Sequence, residues 1–194
     1  RTLQRRQEML EKAELDKKQF EKARLKAITY FDKAGIILTE DEKKSVEIAD
    51  FGLSDLDKIG LEVLVYVNTT KVCAKELVMF PGQTCPEHIH PTKNGRSGKE
   101  ETFRCRWGKV YLYVPGKKNC EPKLDGLEDY KEYLRMSHEI VLNPGDQYTL
   151  MPDTLHWFRA GDEGAVVSEF STTSTDDQDI FTDPGINRFT KLKE

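Results

Sequence analysis

The chain has 194 residues and a mass of 22.3 kDa, enough for one domain with a real core and one accessory element. Its 30 Lys+Arg against 34 Asp+Glu leave a net charge of −4, which argues against a nucleic-acid footprint or a polybasic membrane patch. Charged residues make up 33% and mean hydropathy is −0.65, so part of the chain is expected as solvated helix or loop.

No apolar run approaches the roughly 18 residues that a membrane span needs. The opening stretch RTLQRRQEMLEKAELDKK lacks the apolar core of a signal peptide, so a cytoplasmic location is expected rather than export. The chain begins at Arg1 and not at Met, and a start residue or short leader is expected ahead of it.

Residues 1 to about 34 read as a charged helix. Met9, Ala13, Phe20, Ala23, Ala27, Ile28, Phe31 and Ala34 fall close to one stripe, and Gly35 is a suitable stop. Thr39-Glu40-Asp41-Glu42 is a capping box that opens a second helix through about Ile48. Residues 1–50 are therefore expected as a helical extension packing on the domain formed by 51–194.

From Phe51 onward the texture is that of short strands: 61–69, 72–80, 101–107, 109–114, 139–142, 147–151, 156–160 and 165–170. Turn signals at Pro81-Gly82, Gly108, Pro115-Gly116, Asn143-Pro144-Gly145-Asp146 and Gly161-Asp162 separate them. Many short strands without intervening helices predict an antiparallel sandwich or barrel. A Gly/Asn/Ser-rich loop (91–98) and a charged excursion (115 to about 136) interrupt the rhythm.

The four cysteines, Cys73, Cys85, Cys105 and Cys120, show no CxxC spacing and read as reduced packing thiols. The four histidines are more telling. His88 and His90 stand two apart in PGQTCPEHIHP, so in an extended strand both imidazoles share a face. Counting by two from Lys99 puts Glu101, Phe103, Cys105 and Trp107 on one face, with Arg104 and Arg106 on the other. Glu101 then points inward, where a lone carboxylate favours a cation as partner. Glu100 is its rival. His156 opens a later strand, and three imidazoles with one carboxylate suit a divalent transition metal such as Mn²⁺, Fe²⁺, Zn²⁺, Ni²⁺ or Co²⁺. His138 lacks ligand spacing and reads as structural or exposed.

The spacing Gly82-x5-His88-x-His90, followed by Glu101-x6-Gly108, resembles the first cupin motif; Gly145 and His156 with Pro152 between them resemble the second. Three departures stand out: the long His90–Glu101 interval, Pro152 one place late, and Ala160 where Asn is frequent. The resemblance implies a mainly β cupin fold, a double-stranded β-helix or jelly-roll barrel, with the N-terminal helical extension outside it. Longer stretches narrow it further. ADFGLSDLDKIGLEVLVYVNTTKVCAKELVMFPGQTCPEHIHP, NPGDQYTLMPDTLHWFRAG and VVSEFSTTSTDDQDIFTDP are similar to the D-lyxose isomerase family, over roughly residues 28–188.

That resemblance implies a manganese-preferring aldose–ketose isomerase. It would interconvert D-lyxose with D-xylulose, and D-mannose with D-fructose, through a metal-stabilised enediol. It also implies a sugar as the partner and a homodimer as the working form. Such chemistry needs a general base, and Glu169 in VVSEFST is the first candidate; strand alternation leaves open whether it faces the metal. Lys99 shares a face with Glu101, and Lys75 sits inside an apolar strand; both are candidates for steadying substrate oxygens. Arg188, in the GINRF tail, is a candidate to fold over the mouth and bind hydroxyls. Asp176, Asp177 and Asp179 read as solvated turn residues. Trp107, Tyr111, Tyr113 and Trp157 could offer flat faces to a sugar, although strand aromatics usually belong to the core. The competing readings are an Fe(II) cupin dioxygenase with a more apolar pocket, a phosphosugar isomerase with a basic phosphate site, and a non-catalytic sugar-binding cupin.

Overall fold

The structure, a computed structural model, describes residues 16–192. Helix α1 (Lys17–Lys33) opens on Asp16, whose side chain accepts from Lys18 N–H while Gln19 reaches back to the Asp16 amide. It ends at Gly35, which adopts φ +70°. Met9 and Ala13 of the expected stripe lie outside the described residues. The Thr39 capping box forms as expected and opens α2 (Glu40–Ser45). That helix is shorter than its pattern suggested. Past Val46, the segment with β-branched Ile48 instead becomes strand β1 (Glu47–Ala49), pairing with β2 (Leu61–Asn68).

The remaining strands are β3 (Cys73–Met79), β4 (Thr84–Ile89), β5 (Glu101–Val114), β6 (His138–Leu142), β7 (Gln147–Leu150), β8 (His156–Ser171) and β9 (Ile180–Phe181). They form one curled antiparallel sheet in the order β1-β2-β3-β8-β4-β9, with β5 joining β8 to β6 and β7. The fold is a mainly β, cupin-type barrel. None of the described helices is long and apolar enough to cross a membrane.

Two turn signals do not turn the chain. The predicted strands 101–107 and 109–114 are one strand, β5, and 156–160 and 165–170 are one strand, β8. Register slips at Cys105/Trp107 and at Gly108/Val110, where Val110 already faces Ala160 while Gly108 faces Ala165. These are bulges, which bend a strand without ending it. Gly108 (φ +74°) permits a close approach of the two strands: a Cβ there would lie 2.1 Å from the Gly164 carbonyl oxygen. The bend lets β8 pair with β4 through its first half and with β3 through its second.

The first slip also re-aims Trp107. It leaves the inward face predicted for it and packs with α1, edge-on to Tyr30 at 5.6 Å. Ala23, Ala27, Tyr30 and Phe31 of α1 bury against Ile48, Leu64, Val78, Phe80 and Val166, on the outside of the sheet. The charged excursion covers another outer face: Leu127, Tyr130 and Leu134 are buried, and Trp157 Nε1 donates to the Met136 carbonyl. All four cysteines are free thiols.

Candidate active site

Strand pairing brings the site together. His88 on β4 stands directly across from His156, the first residue of β8. His90 follows just past the end of β4, and Glu101 opens β5. The ring centroids of His88 and His156 are 4.3 Å apart and those of His88 and His90 4.9 Å. One nitrogen of each imidazole lies within 4.8 Å of the others. Glu101, 1% exposed, aims Oε1 to within 3.2 Å of His90 Nε2 and 3.1 Å of His156 Nε2. Glu100 is left at the surface.

The hydrogen bonds around the rings fix which nitrogen carries the proton. His88 Nδ1 lies 2.7 Å from the Pro86 carbonyl and His156 Nδ1 2.9 Å from that of Thr154. A carbonyl only accepts, so each Nδ1 donates, and in the neutral ring Nε2 keeps a lone pair. His156 Nε2 makes no hydrogen bond, yet it is buried beside a carboxylate oxygen. With the ring neutral, two electron-rich atoms stand 3.1 Å apart, and a cation held with them would relieve their repulsion. Burial, and then the neighbouring imidazoles, hold His88 well below the ordinary histidine pKa. Burial also opposes charge on His90, but Glu101 and Asp179 overcome it and raise its pKa to about 9. The carboxylates thus draw a positive charge to this point. The donor set, N₃O and without sulfur, fits a divalent transition ion with open positions.

Beside this cluster lies a second, ionic one. Lys99 Nζ is 2.6 Å from Glu101 Oε2 and 3.1 Å from Glu169 Oε1. Lys75 Nζ is 3.9 Å from Glu169, and it donates to Asp176 Oδ2 at 2.8 Å and to Ser174 Oγ at 2.7 Å. Arg188 joins Glu47 at 2.5 Å to Asp176 at 3.3 Å. Burial alone would discharge Lys99, but Glu101, Glu169 and Asp176 push its pKa well above the ordinary lysine value. Burial works against Glu101 in the same way, and Lys99 and His90 outweigh it, keeping the carboxylate ionised.

All of these groups except His156, Ser174 and Glu47 line one cavity of about 40 Å³. Strand alternation had left the direction of Glu169 open; it points inward, opposite Phe103 and Lys75, while its neighbour Phe170 points out. Lys99 lies ahead of β5 yet keeps the facing predicted for it. Asp176 and Asp179 correct the reading as solvated turn residues: the first is clamped by Lys75 and Arg188, the second by His90 Nδ1 at 2.6 Å. Asp177 is exposed. The proposed aromatic sugar platforms do not form. Tyr113 and Trp157 stack on each other at 3.9 Å away from the cavity, Tyr111 carries Lys123 over its ring, and Trp107 faces α1. Phe51, Phe103, Phe158 and Phe181 line the cavity instead. His138 is a structural residue, its Nδ1 on the Lys117 carbonyl.

Fold and site together define a class: a cupin-type barrel holding three imidazoles and a carboxylate around one buried point. Similar barrels occur in the L-ribose isomerases of Cellulomonas parahominis (TM-score 0.74, 15% identity, 93% of this chain and 98% of that one) and Acinetobacter sp. DL28 (TM-score 0.74, 17% identity, 93% and 99%), the latter in complex with L-ribose. At these identities the likeness concerns the fold alone.

The chain belongs to the D-lyxose isomerase family, whose model matches residues 2–194. Its relatives include a D-lyxose/D-mannose isomerase of Thermosediminibacter oceani, 59% identical over 84% of this chain and 90% of the relative. A D-lyxose ketol-isomerase of Thermofilum sp. is 56% identical over 92% of this chain and 99% of the relative.

Proposed function

We propose that this chain is a metal-dependent aldose–ketose isomerase, interconverting D-lyxose with D-xylulose and D-mannose with D-fructose. The observation that carries the reading is the unpartnered Nε2 of His156, buried 3.1 Å from the Glu101 carboxylate and next to the Lys99–Glu169 pair. One point calls for a cation, and a carboxylate that can move a proton stands beside it. His88, His90, Glu101 and His156 would hold the ion, with Mn²⁺ as our assignment and Co²⁺, Fe²⁺, Ni²⁺ and Zn²⁺ compatible with the same donors. A divalent ion there polarises the sugar carbonyl and offsets negative charge developing on its oxygens.

The chain supplies the rest. Glu169 takes the proton from C2 of the aldose and returns it to C1, while Lys99 gives a proton to O1 and takes one from O2; the ketose reaction runs in reverse. Lys99, kept as an ammonium by its carboxylate neighbours, orients Glu169 and donates to a sugar oxygen. Sugar hydroxyls replace the Asp176 carboxylate on the donors of Lys75 and Arg188, which opens the tight cavity to substrate. This charged lining speaks against the dioxygenase alternative, whose pocket would be apolar.

The test strips the protein of metal, restores Mn²⁺, and assays D-lyxose, D-mannose and the corresponding ketoses. Turnover should return with Mn²⁺; Glu101→Gln and His156→Ala should lose both metal and turnover. Glu169→Gln should keep the metal and lose at least about 10²-fold in kcat. Absence of turnover on every unphosphorylated aldose would sink the proposal.

A further inference from the structure

The three imidazoles differ in what holds them. His88 and His156 each use the carbonyl two residues upstream, so their acceptors come with their own local chain. His90 instead depends on a residue 89 positions away: its Nδ1 lies 2.6 Å from Asp179 Oδ1. That carboxylate is 7% exposed and bracketed on both sides. Before it comes the 3₁₀ turn Asp176–Gln178, anchored by the Lys75–Asp176 bond. After it comes β9, whose Ile180 and Phe181 pair with Ile89 and His88.

The alternative tautomer is close at hand. Glu101 Oε1 lies 3.2 Å from His90 Nε2, so a neutral His90 without Asp179 would place its proton on Nε2 and donate to Glu101. A nitrogen so protonated has no lone pair for an ion. We propose that Asp179 is a positioning residue: it keeps the proton of neutral His90 on Nδ1 and leaves Nε2 free to face the centre. This rests on the reading of His88, His90, Glu101 and His156 as metal ligands. The C-terminal segment thereby completes a centre whose other donors lie on the barrel strands and their ends, as partners of this kind do for ligating histidines.

Two measurements on the full chain test it: Mn²⁺ affinity by calorimetry, and the His90 tautomer by side-chain ¹⁵N NMR of the metal-free protein above pH 9, where the ring is neutral. Asp179→Ala should weaken Mn²⁺ binding about 10- to 100-fold and move His90 to the Nε2–H form. Asp179→Asn, whose amide oxygen can still accept, should show a smaller loss in the same direction. This variant carries the test if the alanine variant does not fold. Exposed Asp177→Ala should change neither readout. Wild-type affinity and an unchanged tautomer in the folded Asp179 variants would overturn the positioning role alone. Wild-type protein that binds no divalent ion would overturn the metal reading and this proposal with it.

Discussion

The barrel is covered near both ends of its chain, and the two covers are made of different material. Helix α1 closes an outer face with Ala23, Ala27, Tyr30 and Phe31 against Leu64, Val78, Phe80 and Val166. The C-terminal segment closes the mouth with Asp176, Asp179 and Arg188 against Lys75, His90 and Glu47. Apolar area taken from water stabilises roughly in proportion to its size and sets no precise geometry. Ion pairs drawn inside contribute little net, because desolvation offsets their attraction, but they fix atoms relative to one another. The first cover therefore holds the fold, and the second arranges the site.

The division can be broken most forcefully at Phe31, which is fully buried. Phe31→Ala should cost about 3–5 kcal/mol in denaturant unfolding while leaving Mn²⁺ affinity unchanged. A comparable fall in Mn²⁺ affinity would show that the covers are not separate.

Glu62 sharpens the comparison, since it is an ionisable group close to the apolar seam. Its Oε1 accepts from Gln83, its Oε2 has no partner, and burial raises its pKa from the ordinary 4.5 to about 8. The folded chain thus keeps a proton that the unfolded chain releases. The stability this contributes is complete below pH 4.5 and is lost as pH rises through 8, at no more than about 1.4 kcal/mol per pH unit. Glu62→Gln should remove that slope between pH 5 and 8 when unfolding is compared across the range; an unaltered slope would place its origin elsewhere.

The smallest stability effect is expected on the ionic side. Arg188→Ala breaks its pairs with Glu47 and Asp176, but Asp176 keeps Lys75 as partner and Glu47 is 39% exposed, so the unfolding free energy should fall by only about 1 kcal/mol. KM for the sugar should rise, with kcat less affected. A loss as large as that for Phe31→Ala would make the ionic cover a second structural seam.

The same contrast explains what the sequence discloses. His88 and His90 two apart, Glu101 on the facing count of β5, and Thr39 with Glu42 are local patterns, and period-two and capping geometry translate them directly. Local pattern is weaker where a strand continues through a bulge. Gly108 carries the signature of a turn, and only the facing Gly164 carbonyl shows why a glycine stands there without one. Trp107 is misplaced for the same reason, because one slipped residue reverses its face. Asp176 and Asp179 were hidden because Lys75 and His90 lie 101 and 89 residues away. A trace was available in Asp179-Ile180-Phe181, whose alternation places the carboxylate and the ring on one side, both against the histidines.

The two tryptophans have an optical consequence. Trp107 leans on Tyr30 of α1, and Trp157 is sealed beneath the charged excursion, stacked on Tyr113. With only two indoles in the chain, Trp157→Phe leaves one fluorophore watching the helix, and Trp107→Phe leaves one watching the opposite wrapping. The emission spectrum can then tell which covering loosens first, without any attached dye.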